Sequence, residues 1–222
     1  MYQMYDPVFV KLIENGVSLK EIEKRLHPSS GLSRDAEILA HAGFKNYSVS
    51  GFLGIDEDLL SLIHEDWKVV LDYGTTHHDI ANALSLAIKS LKLPNSDYKI
   101  EHNYCSGGIQ PCPWECEEPY EYGNGLILIY HKSLTRDEII AAQYAILFDE
   151  EIHDMHRARL DSAALITFNA ILADFTKLSN KLAPVTELHP HLIEKHYFFQ
   201  GKKSVYRSNP EVLIKALNLS RL

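Results

Sequence analysis

The hydrophobic period of the chain changes near residue 98, and this change limits the possible folds more than any other feature of the sequence. Before it, apolar residues such as Ile80 and Leu84 recur at helical spacing. From Tyr98 to Tyr104, apolar and polar residues alternate, which is the period of a β-strand. The run from Leu126 to His131 is apolar on both faces, as in a buried strand. The sequence therefore predicts an antiparallel β-hairpin between two helical regions.

These helical regions set the fold class. We predict an α+β fold that is mostly helical, with a small antiparallel β-hairpin packed against helices. With 222 residues, of which 45% are hydrophobic, the chain can bury a sizeable core. We therefore expect a single compact domain over residues 1–222. Its sub-structure would be helical at 1–95, a hairpin with a cysteine loop at 96–132, and helical again at 133–222.

The second helical region begins with a capping box, Thr135-Arg-Asp-Glu138. From there to Ala183 the sequence contains neither glycine nor proline, which predicts two helices. The second of them carries an apolar stripe that continues to Leu182. We expect three residues of this stripe to line the main core: Phe168, Ile171 and Phe175.

The charge balance narrows the class of partner. A net charge of -8, from 22 basic and 30 acidic residues, disfavours non-specific binding to nucleic acid or to an anionic membrane. No apolar run approaches the roughly 20 residues of a membrane span. The N-terminus lacks the pattern of a secretory signal, and an odd number of cysteines fits a reducing compartment. We therefore expect a cytoplasmic protein; the sequence leaves its oligomeric state and its biological partner open.

All three cysteines lie in one short segment, Cys105, Cys112 and Cys116, and His102 comes just before it. Thiolates gathered near an imidazole are suitable ligands for zinc. The spacing Cys-x6-Cys-x3-Cys contains no Cys-x2-Cys knuckle, so the alternative is that these are small buried residues of a loop. We predict a zinc ion bound by His102, Cys105, Cys112 and Cys116.

The strand period places one condition on that ligand set. Residues three apart on a strand point to opposite faces, so His102 and Cys105 converge only if the strand ends before Cys105. The tail offers a secondary metal candidate, because His189 and His191 would lie on the same side of an extended chain.

Two groups of histidines and carboxylates give the chain a candidate active site. His78 and Asp79 lie at a predicted helix start, where the positive end of the dipole favours a neutral, metal-binding imidazole. The doublet resembles the His-Asp pair of metal-dependent phosphohydrolases. The 12 histidines of the chain and their grouping with carboxylates favour a hydrolase of an anionic small molecule. Glu150 and His153 share a face of a later helix. We expect the two groups to meet as catalytic residues; the competing interpretations are helix capping by Asp79 and a solvated face around Glu150.

The sequence also allows a second hypothesis, in which the protein is not an enzyme. The segment Leu12–Leu26 resembles a helix-turn-helix, and Lys195–Arg207 combines basic residues with aromatics and contains no acidic residue. In the alternative, one of these segments makes the chain a binding or interaction module. The competing interpretation is that both segments pack into the core while their lysines reach solvent.

Overall fold

The computed structural model describes residues 19–27, 52–54, 56–110, 112–114, 116, 122–154, 177–204 and 206–220. For residues 103–110, 122–124, 144 and 147–154, the description covers the backbone alone. The described helices and strands follow one another in this order: α1 (Leu19–Leu26), α2 (Leu59–Asp72), α3 (His77–Ser90), β1 (Tyr98–Gln110), β2 (Tyr122–His131), α4 (Arg136–Asp154), β3 (Leu182–Val185), α5 (His189–His196) and α6 (Pro210–Ala216).

The predicted hairpin is confirmed. Strands β1 and β2 pair antiparallel, with Tyr98 opposite His131 and Cys105 opposite Gly125. Strand β1 continues to Gln110 instead of ending before Cys105, with register shifts on either side of that residue. The condition for His102 and Cys105 to converge through an early strand end is therefore not met.

The third strand was not predicted, and in its place the sequence indicated the end of a long helix. Leu182 lies in β3, which pairs antiparallel with β2 and completes a sheet of order β1-β2-β3. The prediction was wrong because pairing with a distant strand, and burial against it, outweighed the local helical pattern. Pro184 fits this edge strand, because proline has no N–H to donate on the open side. The three stripe residues expected in the core lie outside the described residues.

Helices cover both faces of the sheet, which makes the α+β fold that the sequence predicted. Ile127 and Ile129 of β2 belong to one buried cluster with residues of α3 and α6. Leu126 and Leu128 belong to another, with residues of α4. Strand β2 is thus buried on both sides, as its continuous apolar run indicated. The capping box is also present, because the Thr135 N–H donates to the Glu138 carboxylate at 2.7 Å.

A third apolar cluster contains no strand residue and includes Cys112 and Trp114 of the loop between β1 and β2. We call it the loop cluster; its buried members are Ile22, Leu26, Phe52, Leu53, Leu59, Leu62, Ile63, Cys112, Trp114, Leu188, Leu192 and Phe198. It joins α1, the start of α2, the hairpin loop and α5. Helix α1 contributes Ile22 and Leu26, so this half of the predicted helix pair packs into the protein.

The basic-aromatic tail also packs into the protein. Phe198 and Phe199 are fully buried. Its cations form ion pairs with acidic residues in or near α2, and the pairs are Lys202–Glu65, Lys203–Asp56 and Arg207–Asp66. Most of its charge is therefore used within the chain. Among the described helices, none is long and apolar enough to cross a membrane.

Candidate metal centre

Four potential metal ligands converge beside the loop cluster. Cys112 and Cys116 come from the loop between β1 and β2, and His191 and His196 come from α5. Each offers one ligand atom, and these atoms all lie within 4.8 Å of one another. The two sulfurs are 3.7 Å apart, and His196 Nε2 lies 3.3 Å from each of them.

These distances match the edges of a tetrahedron of zinc ligands. With bonds of about 2.3 Å to sulfur and about 2.0 Å to nitrogen, the two sulfurs would lie about 3.8 Å apart and each sulfur about 3.5 Å from a nitrogen. The observed separations of 3.7 and 3.3 Å lie close to both values. Neither cysteine is in a disulfide, so a disulfide does not account for the short distance between them.

Helix α5 presents both imidazoles to the loop. It is eight residues long, and Leu192 and Ile193 on its inner side are buried. His191 lies in its first turn and His196 is its last residue, and their ring centroids are 5.2 Å apart. Tyr197 takes a left-handed conformation, φ 54°, and ends the helix directly after the second histidine. The helix therefore ends at the second potential nitrogen ligand, His196.

The residues between the two cysteines hold the loop against α5. Trp114 is only 1% exposed, and its indole stacks on the His196 imidazole at 4.2 Å with an interplanar angle of 7°. The ring centroids of Trp114 and Phe198 lie 5.4 Å apart, in a T-shaped arrangement. From the other side, the Arg25 guanidinium of α1 donates to the Pro113 carbonyl at 3.4 Å. These contacts place the cysteine loop beside His196.

The two thiols differ in their proton affinity. A hydrogen bond from Cys112, helped by those with His191 and His196, lowers the pKa of the Cys116 thiol. The same hydrogen bond, together with burial, raises the pKa of Cys112. A metal binds the thiolate form of cysteine, so an ion that binds both sulfurs must displace any proton that they share.

The structure brings together only part of the predicted zinc set. Cys112 and Cys116 are in the cluster. His102 is exposed on β1, where its ring lies over Gly125, and it is not part of the cluster. The side chain of Cys105 lies outside the described residues, so its role as a ligand stays a prediction.

The histidine half of the site was missed, although the sequence carries a signal for it. Zinc ligands typically occur as Cys-x2–4-Cys and His-x3–5-His, and the chain has Cys112-x3-Cys116 and His191-x4-His196. Of the secondary candidate pair, His191 is in the cluster and His189 is not. Because the segment is helical, His189 turns away and binds elsewhere: Nδ1 accepts from the Thr186 N–H at 2.9 Å, and Nε2 lies 3.0 Å from the Tyr206 carbonyl. Burial lowers the pKa of His189 to about 4, so it is neutral at neutral pH.

Of the predicted catalytic residues, His78 and Asp79 are described with their side chains, and neither is part of this cluster. His78 lies near the start of α3, where Nδ1 is 3.1 Å from the Glu194 carboxylate and Nε2 is 2.8 Å from the Asn82 amide. The Asp79 N–H donates to the Thr76 hydroxyl, so Thr76 caps the helix. Glu150 and His153 lie on α4, and their side chains are outside the described residues. Their meeting with His78 and Asp79 stays a prediction.

Comparisons of the sequence and of the fold found no family model, no curated protein and no solved structure that matches this chain.

Proposed function

We propose that the chain binds one zinc ion through Cys112, Cys116, His191 and His196, and that this ion is structural. The observation that carries the proposal is the convergence of four ligand atoms within 4.8 Å of one another. Three of them, the two sulfurs and His196 Nε2, lie at separations close to the edges of a zinc tetrahedron. Two thiolates and two imidazoles favour zinc over hard cations such as magnesium and calcium, which prefer oxygen ligands.

The number of protein ligands argues for a structural ion. A catalytic zinc keeps one position open for water or substrate, whereas four protein ligands close the tetrahedron. Burial points the same way, because Cys112 and His196 are 7% and 3% exposed. The ion would join a hairpin loop to a helix far away in the sequence. It would thereby hold α1 and α2 to α5 through the loop cluster.

The other sequence-based roles have less support. Hydrolysis by His78, Asp79, Glu150 and His153 stays a prediction, and a closed zinc site would not supply its metal. The charged tail gives less support to an interaction module, because Lys202, Lys203 and Arg207 form ion pairs within the chain. A centre with two thiolates functions in a reducing compartment, so we keep the cytoplasm as the proposed location.

Zinc content of purified variants tests the proposal and separates the two possible ligand sets. We expect one zinc per chain in the parent and none retained by Cys112→Ser or His196→Gln. The matched variants are Cys105→Ser and His102→Gln, which carry the same replacements at the positions that only the sequence-based set contains. Both should keep one zinc per chain. Zinc loss in either of them, with retention in His196→Gln, would contradict the proposed ligand set.

A further inference from the structure

We propose that the site releases its metal when a peroxide oxidises Cys112 and Cys116 to a disulfide with each other. The inference rests on the proposed zinc site and concerns its regulation. It starts from the observation that two cysteine sulfurs are not in a disulfide, lie 3.7 Å apart and belong to one short loop. An S–S bond is about 2.05 Å long, so the sulfurs need to move together by less than the width of an atom.

Exposure decides which sulfur reacts first. Cys112 is buried, whereas Cys116 is partly exposed and is the member of the pair that a small oxidant reaches. Cys112 Sγ then lies within reach of the oxidised sulfur and acts as the resolving thiol. Because the loop places both groups, no large rearrangement is needed before the second step.

The reaction balances with one molecule of hydrogen peroxide per site. The Cys116 thiolate attacks one peroxide oxygen, the O–O bond breaks, and a sulfenic acid and a hydroxide form. The Cys112 thiolate attacks the Cys116 sulfur, the S–O bond breaks, the S–S bond forms, and a second hydroxide leaves. Two protons convert the hydroxides to two waters. The two thiolates supply both electrons, and the zinc ion itself is not reduced or oxidised.

Disulfide formation removes half of the ligand set in one step. Two imidazoles remain, and these do not make a closed zinc site. The loop then loses its metal link to α5, whereas the stacking of Trp114 on His196 does not depend on the ion. Peroxide would therefore loosen the loop cluster, and a thiol reductant with zinc would restore it.

The Cys105→Ser variant is the starting protein for the test, because it leaves Cys112 and Cys116 as the only cysteines of the chain. Hydrogen peroxide is titrated into the zinc-loaded protein. A metallochromic chelator measures the released zinc, a thiol reagent counts free thiols, and peptide mass spectrometry identifies the oxidised product. We expect two thiols lost for each zinc released, a Cys112–Cys116 disulfide, and full recovery with dithiothreitol and zinc.

Two results would overturn the inference while leaving the proposed function intact. In one, zinc stays bound at a tenfold excess of peroxide. In the other, zinc is released but the product is a sulfinic acid or a cross-link between two chains. A reduced protein that holds no zinc before peroxide is added is a separate outcome. It would remove the proposed function, and the inference with it.

Discussion

Loss of zinc is expected to lower the free energy of unfolding by about 4 kcal/mol when free zinc is a thousand times its dissociation constant, because the ion binds the folded chain alone. The Cys112→Ser substitution should produce this loss, and so should a strong chelator added to the parent. Denaturant unfolding followed by circular dichroism measures it. The physical reason is that the ion links the hairpin loop to α5 within the loop cluster.

The chelator separates the ion from the side chain. In the parent it should remove most of the stability that Cys112→Ser removes, and in Cys112→Ser it should change nothing further. If the chelator leaves the unfolding midpoint of the parent unchanged, zinc does not stabilise this fold. The stacking of Trp114 on His196 gives a local readout, because its near-ultraviolet dichroism should weaken along with the stability.

Breaking the buried ion pair between Asp66 and Arg207 should have an effect of similar size. The Arg207 guanidinium donates to both carboxylate oxygens, at 2.7 and 2.5 Å, and also to the Gln200 carbonyl. Burial raises the pKa of Asp66 even though Arg207 opposes the shift, so the pair offsets a large desolvation cost. Asp66→Ala leaves the buried guanidinium without its carboxylate, and we expect a loss of about 3–5 kcal/mol in denaturant unfolding.

The exposed pair Glu211–Lys215 on α6 is the matched control. Its side chains are 48% and 46% exposed, so Lys215→Ala should cost less than about 1 kcal/mol. The double variant Asp66→Ala with Arg207→Ala should cost clearly less than the sum of its single variants, because both remove the same interaction. A loss from Asp66→Ala no larger than that from Lys215→Ala would contradict the account of a coupled buried pair.

The parts of the fold that were predictable depend on local pattern. The hairpin follows from the two-residue period after Tyr98, and the buried strand from the apolar run that begins at Leu126. The capping box at Thr135 needs only four adjacent residues. Strand β3 was not predictable in this way. Its first residue, Leu182, ends a helical stripe in the sequence, and pairing with β2 makes the segment a strand.

The candidate metal centre was likewise predictable only where its residues are close together in the sequence. Cys112 and Cys116 are neighbours in the sequence, so their clustering was visible there. His196 joins them because Trp114, Leu192 and Phe198 pack together, and this tertiary contact leaves no mark in the local pattern. His102 was favoured because it is close in the sequence, but the strand carries it to an exposed position. The His-x4-His spacing was the one sequence signal for the missing half.

Zinc K-edge X-ray absorption of the purified protein tests the central claim most directly, because it reports the ligand atoms around the ion. We predict two sulfurs at about 2.3 Å and two nitrogens at about 2.0–2.1 Å, with no additional oxygen. A shell of three sulfurs, or of oxygen and nitrogen alone, would contradict the assignment of Cys112, Cys116, His191 and His196 as a closed structural site.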